Sequence, residues 1–422
     1  MFKKTTLKNG LRIVTIPRKN TEAVTVLVLV GTGSKYEKKE INGISHFLEH
    51  MYFKGTRKRP STTAIAETLD KVGGIYNAFT GEEYTGYFAK VAAHHFELAL
   101  DWVSDIFLNS ILPKEEIEKE KGVIIEEINM IYDHPMSYVQ TLWTKLLYGD
   151  QPAGWDIAGK KETVSKMTRE KLIDYMNRQY VAKNTIVSIA GNFNEKLAIQ
   201  KVKKYFSKIK TKKPIEKPKV IEKQENPEVL LNSRQTDQTH LCLGTRSFNL
   251  FHPQRYALDL LTVILGGMMS SRLFIEVRAK LGIAYYINTN SEMNPDTGFL
   301  FTQTGLDNKN VEKGILTILK EYKKISEKKV PTLELKKAKD YLKGKTTLLL
   351  ESSDAMASFY AAQELLEKKI LTPEEIFEKI DRVSRQDVLR VAKEIFRPEK
   401  LNLALIGPFK NKMRFEKLLF EF

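Results

Sequence analysis

The sequence predicts an α+β fold written twice, and three observations carry that prediction. First, two stretches recur at one fixed separation. Thr168-Arg169-Glu170-Lys171-Leu172 opens a helical pattern that passes Tyr180 and reaches the apolar run 185–193. Ser384-Arg385-Gln386-Asp387-Val388 opens a matching pattern that passes Phe396 and reaches 401–409, and 384 − 168 = 216 holds for each pair of positions. Residues 112–117 and 330–335 match again, with 330 − 112 = 218. A single large offset indicates duplicated domains rather than a solenoid. Second, each half mixes strand-like apolar runs with long amphipathic helices. Third, the Lys/Pro-rich stretch 207–219 reads as an extended, charged linker. The expected organisation is a domain over 1–213, a linker over 214–228 and a homologous domain over 229–422.

The elements follow in order. Residues 3–14 read as strand, turn, strand, with Asn9-Gly10 at the turn, and not as a signal peptide. Residues 23–30 form an apolar run of strand length before Gly31 and read as a buried strand. Residues 46–50 read as part of a short helix whose flanks, 43–45 and 51–56, end it with glycine. Residues 73–88 read as a hairpin. Pro113 suits the first turn of a helix extending to about residue 132. Thr168 and Ser384 suit helix N-caps. In the second half, Ser270 or Ser271 can cap a helix that ends at Gly282, and Tyr285 and Tyr286 begin a strand. Cys242 reads as a strand core residue.

Composition narrows the function classes. The chain has 422 residues, 42% of them hydrophobic, enough for packed cores. No apolar run approaches the ~20 residues that cross a bilayer. A single cysteine rules out an internal disulfide, and a cytoplasmic location is expected. The net charge of +16 comes from lysines spread along the whole chain. Without an aromatic-basic signature, zinc finger or recognition helix, these read as a solvated surface, and neither a nucleic-acid nor a membrane partner is expected.

The chemistry concentrates in His46-Phe47-Leu48-Glu49-His50. Two histidines four apart on a helix project from one face, about 6 Å apart along the axis, and can share a metal ion. Glu49 shares that face, where a carboxylate can take a proton from water. The inverted order, with the glutamate before the second histidine, is a zinc-peptidase signature. A catalytic zinc needs a third protein ligand. The helix from Pro113 is rich in glutamates, and Glu120 and Glu127 stand two turns apart on one face. Pattern alone does not choose between them, since most such glutamates are a solvated face.

These residues together resemble the pitrilysin/insulinase superfamily of inverted-motif zinc peptidases. The segment 46–56 is most similar to the branch containing mitochondrial processing peptidase and its bacterial relatives. In that family the ligand is the second of two glutamates seven apart, some 75 to 77 positions beyond the second histidine. The resemblance therefore implies Glu127 as the ligand, with Glu126 as the fallback and Glu120 supporting the site. It implies that Arg278 and Tyr285, seven apart in the half without the metal motif, act in catalysis. A cation and a phenol suit a developing oxyanion. It implies that Asn77 and Ala78, on an edge strand, contact substrate. The fold it implies is two homologous domains, each an antiparallel-rich mixed sheet covered by helices, facing across a cavity. The activity it implies is that of a Zn²⁺-dependent endopeptidase cutting peptides or unfolded segments in an enclosed chamber. A homodimer is expected, and a heterodimer with a related chain is the alternative. The other alternative is a non-catalytic assembly subunit of the same fold. Carrying Glu127 forward by 218 reaches Lys345, so the second half cannot repeat the metal site.

Overall fold

The computed structural model describes residues 2–420 and 422. Two compact units are present. One holds the residues up to 129, with 155–218 and 348–370; the other holds 130–154, 219–347 and those from 371 onward.

The first unit is built on six strands: β1 (Lys3–Thr6), β2 (Arg12–Pro17), β3 (Ala23–Val30), β4 (Ile75–Thr80), β5 (Thr85–Ala92) and β6 (Thr185–Gly191). Their order is β1-β2-β6-β3-β5-β4, with β2 and β6 parallel and every other pair antiparallel. The second unit has β7 (Glu228–Ser233), β8 (Gln238–Arg246), β9 (Ala284–Met293), β10 (Gly298–Asp307) and β11 (Leu401–Gly407). Their order is β7-β11-β8-β10-β9, with only β7 and β11 parallel. Without β1, the two sheets follow one recipe: the last strand of each half inserts between its first and second. The duplication read from the 216-residue offset is thus a duplication of topology, and both sheets are mixed and antiparallel-rich. Thr168 and Ser384 cap their helices, accepting from the backbone amides of Lys171 and Asp387.

β3 is apolar at every position but Thr25, which bonds Ser353, because both faces of the first sheet are covered. Val24, Val26, Val28 and Val30 join a core with helix Phe96–Asn109. Leu27 and Leu29 face Met356, Ala357, Tyr360 and Ala361 of helix Ser353–Leu366, which comes from the C-terminal half of the sequence. The second sheet is covered reciprocally. Val139, Leu142, Trp143 and Leu147 of helix Pro135–Tyr148 pack on Cys242, Phe299 and Ala404. A division read along the chain at 214–228 therefore differs from the compact units by one helix in each direction. An amphipathic helix advertises that it must be covered, not which sheet covers it. The segment between residues 209 and 227 contains no helix or strand.

Candidate metal centre

Helix α1 (Ile44–Met51) carries both histidines and Glu49. Ile44, Phe47, Leu48 and Met51 enter the core, which turns the opposite side of the helix toward the site. Its N-cap is Gly43, at φ 96°. That backbone conformation favours glycine, and a Cβ there would stand 2.6 Å from the Ala158 carbonyl oxygen. The second helix spans Lys114–Asp133. Ile117, Glu120 and Ile124 are its buried residues, and Glu127 continues the same stripe one turn on.

The two helices bring His46, His50 and Glu127 together, with one ligand atom from each within 4.8 Å of the others. Nε2 of His46 and Nε2 of His50 are 3.3 Å apart. Glu127 Oε2 lies 3.5 Å from the first and 3.6 Å from the second. Bonds of ~2.0–2.2 Å to a tetrahedral zinc place neighbouring ligand atoms roughly 3.3–3.6 Å apart. The three distances thus fit one face of a tetrahedron, and the nitrogen, nitrogen, carboxylate donor set is one that zinc takes. Glu126 is exposed and outside this group.

Glu120 does not join the triad. Its Oε1 lies 2.8 Å from His50 Nδ1, and its Oε2 pairs with Lys54 Nζ at 2.6 Å. A carboxylate at Nδ1 holds the proton on that nitrogen and leaves the Nε2 lone pair facing His46 and Glu127. Burial works against the charge on Glu120, but the hydrogen bonds from His50 and Lys54 outweigh it and hold the acid below its ordinary range. His46 is buried, and burial first, then the neighbouring His50, depress its pKa to about 4. The imidazole is therefore neutral near pH 7, the form that binds metal.

Glu49 shares the site side of α1 but points to the sheet, where Thr80 Oγ1 donates to its Oε2 at 2.6 Å. Burial raises the Glu49 pKa, the Thr80 bond opposes the rise, and the Glu127 charge adds to it. β4 is the edge of its sheet. On it, Asn77 is exposed, and its Oδ1 accepts from the Ala78 amide at 2.9 Å. Ala78 is 7% exposed with its methyl in the core, so what it offers at the edge is backbone.

In the second unit, Arg278 lies on a π-helical segment, Phe274–Lys280. Its guanidinium is 4.9 Å from the Phe274 ring centre and 5.9 Å from that of Tyr285. Tyr285 is 76% exposed, whereas Tyr286 turns inward to His240 Nδ1 at 2.9 Å, as strand alternation requires. Ser271 stands where this helical stretch begins, its carbonyl accepting from the Ile275 amide, but its buried Oγ makes no cap bond, and Ser270 Oγ accepts from Lys337. Thr80 and Lys54 escaped the sequence reading. Lys54 lies past the end of α1 and its partner Glu120 is 120 − 54 = 66 positions on, so spacing offers no signal for the pair. The Thr80 contact spans 31 positions and left none.

Comparison with known proteins agrees with this picture. The model described as insulinase (peptidase family M16) matches residues 12–161, and the peptidase M16 inactive domain matches 166–342. A Bacillus subtilis (strain 168) protein described as an uncharacterized zinc protease is 38% identical, over 97% of this chain and 99% of its own length. A Rickettsia felis protein described in the same words is 34% identical, over 95% and 96%. Among solved structures, a protease from Helicobacter pylori superposes with a TM-score of 0.89 at 26% identity, covering 97% of this chain and 99% of that one. Among the described residues, no helix is long and apolar enough to cross a membrane. The chain belongs to the insulinase-type M16 peptidase family, with the M16 inactive domain following the match over residues 12–161.

Proposed function

We propose that the protein is a zinc-dependent endopeptidase, with His46, His50 and Glu127 as the zinc ligands. The observation that carries this reading is the trio of Nε2, Nε2 and Oε2 atoms at tetrahedral spacing, beside a half-buried carboxylate, Glu49, outside the trio. Bound zinc would supply a Lewis acid that polarises the scissile carbonyl and acidifies water.

The chain's own residues do the rest. Glu49 takes a proton from the attacking water and returns it to the leaving amine. Its raised pKa suits both halves of that exchange, because a base too weak cannot accept the proton and one too strong cannot return it. Thr80 fixes one Glu49 oxygen and leaves the other for water. Glu120, neutralised by Lys54, keeps His50 in the tautomer that presents Nε2. The open edge of β4 takes a substrate as an added strand, with Asn77 and the Ala78 backbone in contact with it. Arg278 beside an exposed Tyr285 is a cation and phenol pair suited to holding a carbonyl oxygen.

The substrates are peptides or unfolded segments handled in an enclosed chamber. The working form is a homodimer in the cytoplasm, with a heterodimer as the alternative. A non-catalytic assembly subunit would have no use for a poised Glu49. The test is cleavage of quenched peptides with and without chelator. Chelator-sensitive cleavage supports the reading, and a folded, zinc-loaded protein that cuts no peptide contradicts it.

A further inference from the structure

We propose that Glu37 is a positioning residue for the metal helix: its carboxylate caps α1 and, through the loop that carries it, holds His46, Glu49 and His50 against the edge strand β4. The inference rests on reading His46, His50 and Glu127 as a zinc centre.

An eight-residue helix has little stability of its own. Its first amides need acceptors, which an N-cap side chain normally supplies. Gly43 has no side chain to offer. Glu37, six residues earlier, takes over. Its Oε2 accepts from the Gly43 amide at 2.7 Å and from Asn42 Nδ2 at 2.9 Å, and its Oε1 accepts from the Ser45 amide at 2.9 Å. Burial pushes the Glu37 carboxyl up to about 7 against the pull of these hydrogen bonds, so the cap stands on its acceptor oxygens and not on a fixed charge. Glu37 is 2% exposed, so water cannot substitute for these bonds.

The same loop grips the β4–β5 turn. The backbone amides of Ser34 and Lys35 donate to the Gly81 and Glu82 carbonyls at 3.2 and 3.1 Å, and Lys35 Nζ pairs with Glu82 Oε2 at 2.6 Å. At Gly33, a Cβ would stand 2.1 Å from the Gly81 oxygen, so backbone meets backbone directly. Thr80, next to Gly81, holds Glu49. The contacts close a ring: α1 to Glu37, along the loop to the turn, through Thr80 to Glu49, and back to α1. The hydrogen bonds of Glu37 go to Asn42, Gly43 and Ser45 and not to His46, His50 or Glu127. Glu37 acts by fixing how α1 presents the two histidines.

The test compares the full chain with Glu37→Gln, Glu37→Ala and Lys35→Met. The readouts are the zinc dissociation constant by chelator competition, the melting temperature with and without zinc, and kcat and KM on a quenched peptide. Glutamine keeps the size but puts a donor amide where one of the two accepting oxygens stands. Glu37→Gln should weaken zinc binding roughly 10- to 100-fold, the effect usual for groups that orient metal ligands. It should narrow the zinc-induced rise in melting temperature and lower kcat more than it raises KM. Lys35→Met should move zinc affinity in the same direction by less. A Glu37→Gln protein with wild-type zinc affinity and kcat, whatever its melting temperature, would overturn the proposal. If neither Glu37 variant folds, wild-type zinc affinity in Lys35→Met overturns it instead. Wild-type protein that binds no zinc would remove the metal centre itself, a result distinct from the failure of the brace.

Discussion

Glu49 and His46 sit one turn apart, and both titrate abnormally for the same first reason, burial, with opposite consequences. For Glu49 the result is a stronger base. Glu49→Gln should keep zinc and lose roughly 10²- to 10⁴-fold in turnover, the usual worth of a positioned proton acceptor. Peptide kinetics alongside zinc content check this, and near-normal turnover would remove Glu49 from the base role. For His46 the result is a neutral ligand. Its folded pKa of about 4 lies below the ordinary 6.5, so between those values the unfolded chain binds more protons. The stability His46 carries is complete above pH 6.5 and is lost as pH falls toward 4. Metal-free protein should therefore lose melting temperature more steeply over that window than His46→Leu, and parallel curves would contradict the shift. The histidine pair and Glu49 were legible in the sequence because one helical period places them. Glu127 needed the resemblance, since a glutamate-rich helix offers several candidates. Glu37, Lys54 and Thr80 were not singled out, because their importance lies in contacts that only the folded loops create.

Among elements, β4 shows how a strand can be both structural and receptive. Its ladder with β5 runs from Ile75 opposite Lys90 to Thr80 opposite Thr85. The Ala78 amide is engaged by the neighbouring Asn77 side chain and not by β5, so it belongs to the open side. A proline at position 78 removes that donor and leaves the bonds to β5 in place. Ala78→Pro should raise KM for peptides by roughly tenfold, about one hydrogen bond's worth, with zinc content unchanged. An unaltered KM would show that substrate does not add to this edge. The edge strand was readable from the resemblance, and β3 from an apolar run broken only by Thr25. The exchange of helices Pro135–Tyr148 and Ser353–Leu366 was not, because their apolar faces would suit either sheet.

At the scale of the whole molecule, one topology is used twice, and the candidate metal ligands lie in one copy. The first half has His46, His50 and Glu127; at the position matching Glu127 the second has Lys345. What the second half holds instead is Arg278 beside Tyr285. Arg278→Ala should keep its zinc and lose roughly 10²-fold or more in kcat if the guanidinium holds an oxyanion; unchanged kinetics would free it from that role. The duplication was legible because a constant offset survives sequence drift, and the asymmetry because a lysine stands where the first half has Glu127. All of it depends on a metal held between two helices. The most direct measurement is zinc per chain in protein purified without added metal, for the wild type and for Glu127→Ala. One zinc in the wild type and almost none in a folded Glu127→Ala is the expected result. A metal-free wild type, or a variant that keeps its full zinc, would contradict it.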